Sequence, residues 1–195
     1  MSCPITINRF NLQKPNQNEI LRYAKSGTDK ASLDILGECL SLAENAIAPS
    51  ACYKILDLKI SGDLCDFGEF SVISSQLAKN LACCQQVAVF GATIGAEFDR
   101  LLIKYSKISP TRAVFLQAIG AERVEELCDA VCQEIKQKTG KALRPRFSAG
   151  YGDLPLETQK DIFLYLGLEK WLGVTLNESL LMSPSKSVTA FVGIL

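Results

Sequence analysis

The sequence contains no histidine, and this absence restricts its chemistry more than any other count. Ser-His-Asp triads, Cys-His pairs and imidazole-bound zinc are all excluded. Acid–base work would fall to carboxylates, lysine, tyrosine or cysteine, so binding, or chemistry carried by a bound cofactor, is the favoured kind of function. We assign no catalytic residue from the sequence.

An excess of charge and a long apolar segment are also missing. Lys and Arg number 21, as do Asp and Glu, so the chain has no basic footprint for nucleic acid. No apolar run approaches the roughly 20 residues of a membrane span. The start, MSCPITINRF, lacks the basic and apolar regions of a secretory signal. We therefore expect a cytoplasmic protein with neither nucleic-acid nor membrane partners.

Cysteine is plentiful, but its usual metal-binding spacing is absent. No C-x-x-C occurs, and the nearest candidate pair, Cys128 and Cys132, is separated by one helical turn. Cys128 also falls on an apolar stripe, where free cysteine acts as a small core residue. We predict packing rather than a metal site or a disulfide framework for the eight cysteines: Cys3, Cys39, Cys52, Cys65, Cys83, Cys84, Cys128 and Cys132.

Strand and helix patterns alternate irregularly along the chain, with no regular βαβ repeat. This predicts an α+β fold with a mainly antiparallel sheet flanked by helices. The pattern indicates strands at 5–10, 52–60 and 86–93, helices at 17–25, 30–47, 74–84, 94–108, 110–138 and 155–172 with a break near Gly167, and two terminal strands joined by a turn at 183–186.

The helix over 110–138 is the clearest element. Ser109 is a natural N-cap and Gly140 stands where a C-terminal glycine belongs. Apolar residues recur at spacings of three and four and predict a core stripe. Glu126 lies off that stripe, on the same face as Ile119 and Phe115. A helix with this pattern is buried at one end and lines a cleft farther along.

The segment RPRFSAGYGDLP, residues 144–155, contains two arginines, two glycines and a tyrosine, more functional residues than a simple turn requires. If it is extended, Arg144 and Arg146 point to the same face. A guanidinium can grip a carboxylate with two parallel hydrogen bonds, Gly150 allows close backbone approach, and Tyr151 offers an aromatic face. These residue types suit a ligand with an amino-acid end and an aromatic base. They suit equally a surface ion pair beside a glycine turn.

Two other short motifs have structural explanations. FGATIG, 90–95, matches neither the dinucleotide-binding nor the phosphate-loop template, so we predict a tight strand-to-helix turn. Asp153 precedes Leu154 and Pro155, and we predict that it caps the helix that follows.

Several patches of the sequence resemble the activation domain of vitamin B12-dependent methionine synthase, especially its free-standing relatives. That family's S-adenosylmethionine (AdoMet) motif is Arg, three residues, Gly-Tyr, and it stands here as RFSAGY, which continues as GDLPLE. AERVEELCDAV resembles the helix that supplies a ligand-facing glutamate, at Glu126. GVTLNESLLMSPSKSVTAFVGI and FGATIGAEFDR resemble further family segments. The resemblance covers about residues 86–194 and is loose over the first 85.

The resemblance implies an AdoMet-binding core at 86–195 with an N-terminal α+β annex at 1–85, forming one compact unit. It implies that Arg146 holds the AdoMet carboxylate, that Ser148 and Gly150 offer backbone contacts, that Tyr151 completes the wall, and that Glu126 faces the ammonium or sulfonium. The family domain restores methylcobalamin from oxidised cobalamin, using the methyl group of AdoMet and an electron from a flavodoxin- or ferredoxin-like donor.

The sequence departs from the family in ways that shape the functional hypothesis. Val192 and Gly193 replace an aromatic pair that contributes an AdoMet contact, and the cobalamin motif D-x-H-x-x-G is absent. The resemblance therefore implies a reactivation protein acting in trans on a separate corrinoid methyltransferase. Two alternatives stay open: an interaction module with a degenerate AdoMet pocket, and an independent AdoMet methyltransferase with a small acceptor.

Overall fold

The computed structural model describes residues 5–195, and Cys3 lies outside that range. The helices are α1 (Gln17–Ala24), α2 (Lys30–Glu44), α3 (Ser75–Asn80), α4 (Ala96–Ile108), α5 (Pro110–Thr139), α6 (Thr158–Leu166) and α7 (Leu168–Leu172). The strands are β1 (Thr6–Arg9), β2 (Ser50–Asp57), β3 (Lys59–Ser61), β4 (Leu64–Asp66), β5 (Ser71–Ile73), β6 (Gln86–Thr93), β7 (Thr175–Leu176), β8 (Met182–Ser183) and β9 (Ser187–Ile194).

The main sheet has four strands in the order β1-β2-β6-β9, and each neighbouring pair is antiparallel. The two central strands are buried on both faces, which explains why β6 reads as an unbroken run of apolar and small residues. Alternate residues of β6 enter two different cores: Ala88 and Phe90 face one, while Val87 and Val89 face the other. The α+β prediction with a mainly antiparallel sheet is confirmed.

Helices α1, α2, α4 and α5 cover the first face of the sheet, where Phe98, Leu116 and Leu127 are fully buried. Helices α3, α6 and α7 and the small sheet β3-β4-β5 cover the second face, around Phe191 and Ile162. The 30 residues of α5 cross the first core from Ser109 to an αL cap at Gly140, as the sequence predicts. Within residues 5–195, no helix is both long enough and apolar enough to cross a membrane.

The sequence pattern locates most elements but misses the small three-stranded sheet. The predicted strand 52–60 is two strands, β2 and β3, separated at Leu58, and β4 and β5 continue from β3 as a second antiparallel sheet. Each of these three strands has three residues, so none is long enough to produce a readable alternation. The predicted break at Gly167 is confirmed, since this residue adopts a left-handed conformation between α6 and α7.

Candidate functional site

The segment at 143–147 forms an irregular edge beside β9. Leu143 bridges to Ile194 and Phe147 bridges to Phe191. The two bridges are four residues apart in the 143–147 segment but only three apart in β9. The extra residue is a β-bulge, which breaks the alternation of side chains between the two faces.

Arg144 and Arg146 consequently lie on opposite faces of the sheet, and the prediction of a shared face is wrong. The Arg144 side chain packs over Gly193 on the second face, and its Nη2 donates to the carbonyl oxygen of Ala82 at 2.9 Å. Arg146 turns instead toward α5 on the first face. Only Arg146 is therefore placed to meet a ligand beside α5.

The Arg146 guanidinium forms ion pairs with two carboxylates of α5. Its Nη2 donates to Glu125 at 2.7 Å and its Nη1 donates to Asp129. Burial by itself lowers the pKa of Arg146, but the hydrogen bond to Asp129 and the nearby negative charges raise it above its ordinary value. The guanidinium therefore stays charged and partly desolvated, which favours binding to anions.

Glu126 is half-buried on α5, immediately after Glu125 in the chain. Within residues 5–195 its side chain has neither a hydrogen bond nor an ion pair, so its carboxylate is available. The sequence reasoning missed Glu125 and Asp129 as partners of Arg146. Their i,i+4 spacing on a long helix was the available signal, because residues so spaced share one face.

The remaining predicted site residues lie on the loop that follows Arg146. The Ser148 carbonyl accepts from Tyr151 N–H at 3.1 Å, and Gly150 N–H donates to the Leu154 carbonyl at 2.9 Å. Gly150 has φ +83°, a conformation that suits glycine. The Tyr151 ring is largely exposed and stands edge-on to Phe147, with ring centroids 5.3 Å apart. The loop thus exposes the Tyr151 ring next to Phe147, a residue of the second core, whereas Arg146 turns to the first face.

Asp153 fixes this loop to a distant helix rather than capping the next one. Its carboxylate accepts from Ser75 N–H at 2.8 Å, from Gln76 N–H and from the hydroxyls of Ser74 and Ser75, so it caps the N-terminus of α3. The hydrogen bonds from Ser74 and Ser75 lower the pKa of Asp153 to about 2. The predicted cap of the following helix is wrong, and α6 begins only at Thr158.

The cysteines next to Arg146 are packing residues. Burial raises the pKa of Cys128 to about 12, and it also raises the pKa of Cys132. Both thiols therefore stay neutral, which suits a core role better than a ligand role. Among the residues described, no group of three or more possible metal ligands occurs.

A separate cavity of about 590 Å³ lies under the segment 10–15, between α2 and α5. Arg123 lines it, but this guanidinium is held by Glu122 at 2.5 and 2.6 Å and by the Gln13 carbonyl at 2.6 Å. The pair is buried, with side-chain exposures of 4% and 8%. The polar groups of this pair are therefore already bonded within the protein. The carboxylates that pair with Arg146 differ, because their side chains are at least half exposed.

Val192 and Gly193, the positions that depart from the family, are internal to β9. Val192 is fully buried in the first core. A Cβ atom at Gly193 would lie 2.6 Å from Cys84 Sγ and 3.1 Å from Arg144 Cγ. An aromatic side chain has no room there, because the stem of Arg144 occupies the space.

The same fold occurs in a solved structure. A crystal structure of the MetH reactivation domain bound to AdoHcy superposes with a TM-score of 0.72 and covers 98% of this chain and 78% of that one. The chain has the fold of the MetH reactivation domain. The two sequences are 13% identical, so the likeness to the MetH domain is one of fold. No family model and no curated protein sequence matches this chain.

Proposed function

We propose that this protein binds AdoMet beside α5 and supports the reductive methylation of cob(II)alamin on a separate cobalamin-dependent methionine synthase or related corrinoid methyltransferase. Arg146 binds the ligand carboxylate, Glu126 faces its ammonium or sulfonium, Ser148 and Gly150 supply backbone contacts, and Tyr151 forms the aromatic wall. The observation that supports the proposal is that Arg146 of the motif contacts α5, the helix that carries Glu126, on a fold shared with a domain crystallised with AdoHcy.

The arrangement suits a zwitterion with an additional positive charge. The Nη1 and Nη2 atoms of Arg146, bonded to Asp129 and Glu125 in the empty protein, can both turn to one ligand carboxylate. The Glu126 side chain has no protein partner within residues 5–195. The exposed ring of Tyr151 provides a flat surface for a base. Because the cobalt of the partner's cobalamin is the methyl acceptor, the chain needs no acid–base group of its own, in keeping with the absence of histidine. A flavodoxin- or ferredoxin-like protein supplies the electron.

Calorimetric titration with AdoMet tests the proposal. We expect Arg146→Ala to weaken binding at least tenfold, because charge-assisted hydrogen bonds contribute roughly 1.5 to 3 kcal/mol. The matched control is Arg112→Ala, which removes another ion-paired arginine, bound to Glu38. Wild-type protein that binds neither AdoMet nor S-adenosylhomocysteine would contradict the proposal, as would equal losses in the two variants.

A second candidate function is an interaction module that docks on a corrinoid protein without using AdoMet. The ion pairs that already occupy Arg146 favour it, since a ligand carboxylate has to displace them. Pull-down with a cobalamin domain separates the two. Capture that AdoMet strengthens supports reactivation, and capture that is unaffected by AdoMet and by Arg146→Ala supports the module.

A further inference from the structure

The two carboxylates that hold Arg146 are free to exchange for a ligand. The side chains of Glu125 and Asp129 are 50% and 67% exposed, against 26% for Arg146. Exposed ion pairs contribute little to stability, and each carboxylate can turn into water at small cost. The buried Glu122–Arg123 pair has no such freedom.

Negative charge exceeds positive charge around this guanidinium. Glu125 and Asp129, four residues apart on α5, both form ion pairs with Arg146. Arg144, its neighbour along the chain, projects to the opposite face of the sheet. Two carboxylates against one guanidinium leave one negative charge in excess. The site is partly exposed, so charge interactions there are screened but not abolished.

We propose that Glu125 and Asp129 are specificity-determining residues that make the site select a sulfonium over the corresponding thioether. In the empty protein they pair with Arg146. When a ligand carboxylate takes the guanidinium, they are released toward the ligand's positive charges. This inference rests on the proposed function.

The electrostatic reason lies in the ligand charges. AdoMet carries a carboxylate, an ammonium and a sulfonium, a net charge of plus one, while S-adenosylhomocysteine lacks the sulfonium charge and is neutral overall. Both ligands displace the same internal ion pairs, but only AdoMet returns a full extra positive charge to the released carboxylates. We expect about a tenfold preference for AdoMet at low salt, equivalent to ~1.4 kcal/mol. Such selectivity would also promote release of the spent ligand after methyl transfer.

The test is calorimetric titration of both ligands at about 50 mM and about 500 mM salt, a range over which surface charges become screened. Wild type is expected to prefer AdoMet about tenfold at low salt and about twofold or less at high salt. In the double variant Glu125→Gln, Asp129→Asn, the preference is expected to fall to about twofold at low salt. S-adenosylhomocysteine should bind the variant more tightly than wild type, because Arg146 loses its internal competitors.

Glu97→Gln is the matched control, since it removes an exposed carboxylate paired with Arg100 on α4. Circular dichroism confirms that the variants are folded, and the salt series on wild type needs no variant. A wild-type preference that is absent or independent of salt, or one that the double variant keeps, overturns the inference but leaves the proposed function intact. Failure of wild type to bind either ligand overturns both.

Discussion

Replacing Gly193 with alanine tests how closely Cys84, Leu81 and Arg144 pack over β9. The new Cβ would lie 2.6 Å from Cys84 Sγ, 3.0 Å from Leu81 Cδ2 and 3.1 Å from Arg144 Cγ. The backbone of Gly193 has an ordinary conformation, so the expected cost is overpacking and not dihedral strain. Overpacking of one or two carbons in a filled core costs about 1–3 kcal/mol.

Urea unfolding measures this cost, as a lower midpoint with an unchanged m value. For a chain of this size, a loss of about 2 kcal/mol corresponds to a fall in Tm of roughly 4–8 °C. Cys84→Ala removes the nearest atom, so the double variant Gly193→Ala, Cys84→Ala should be more stable than the sum of the single effects by about 1 kcal/mol.

Gly37→Ala is the control, because a Cβ at this position on α2 meets nothing within 4 Å. Alanine in an open helical position is expected to stabilise by up to about 1 kcal/mol. A Gly193→Ala protein as stable as wild type would refute the close packing over Gly193, and strict additivity with Cys84→Ala would refute the contribution of Cys84 to it.

Two further predictions concern Asp153 and Glu122. Asp153→Asn should lower Tm at pH 7. Because the pKa of Asp153 is lowered in the folded state, wild-type stability should exceed that of the variant above about pH 4, and the difference should vanish as the pH falls through about 2; a Tm difference that is constant with pH contradicts this. Glu122→Ala should cost about 3–5 kcal/mol in urea unfolding, since it leaves Arg123 buried without its carboxylate. A loss below about 1 kcal/mol would show that the buried pair does not hold the 13–16 segment on α5.

The sequence predicts those parts of the fold that depend on residues close together along the chain. The caps of α5, its apolar stripe from Ala118 onward and the apolar run of β6 depend on residues within the element itself and are found where the pattern puts them. Val114, predicted as the first residue of the stripe, is 51% exposed. The role of Asp153 depends on Ser74 to Gln76, which lie 77 to 79 residues earlier, so no local pattern contains it.

The same limit applies to the candidate site. The motif groups Arg146, Ser148, Gly150 and Tyr151; the fold brings Arg146 to α5, while Asp153 fixes the loop that follows to α3. The partners of Arg146 were missed because pairing across elements depends on tertiary contact. The separation of the two arginines was missed because a bulge is a property of two strands together, and a single segment does not reveal it.

Because of the bulge, the faces on which Arg144 and Arg146 lie depend on the number of residues between the two bridges. Exchanging one residue type for another between Leu143 and Phe147 leaves the number of steps between the two bridges unchanged, and each arginine keeps its face. Deleting or inserting a single residue there would reverse which face of the sheet the side chains on one side of the change point to. Arg144 would then be directed away from its seat over Gly193, or Arg146 away from α5. The segment is therefore expected to tolerate changes in composition far better than changes in length.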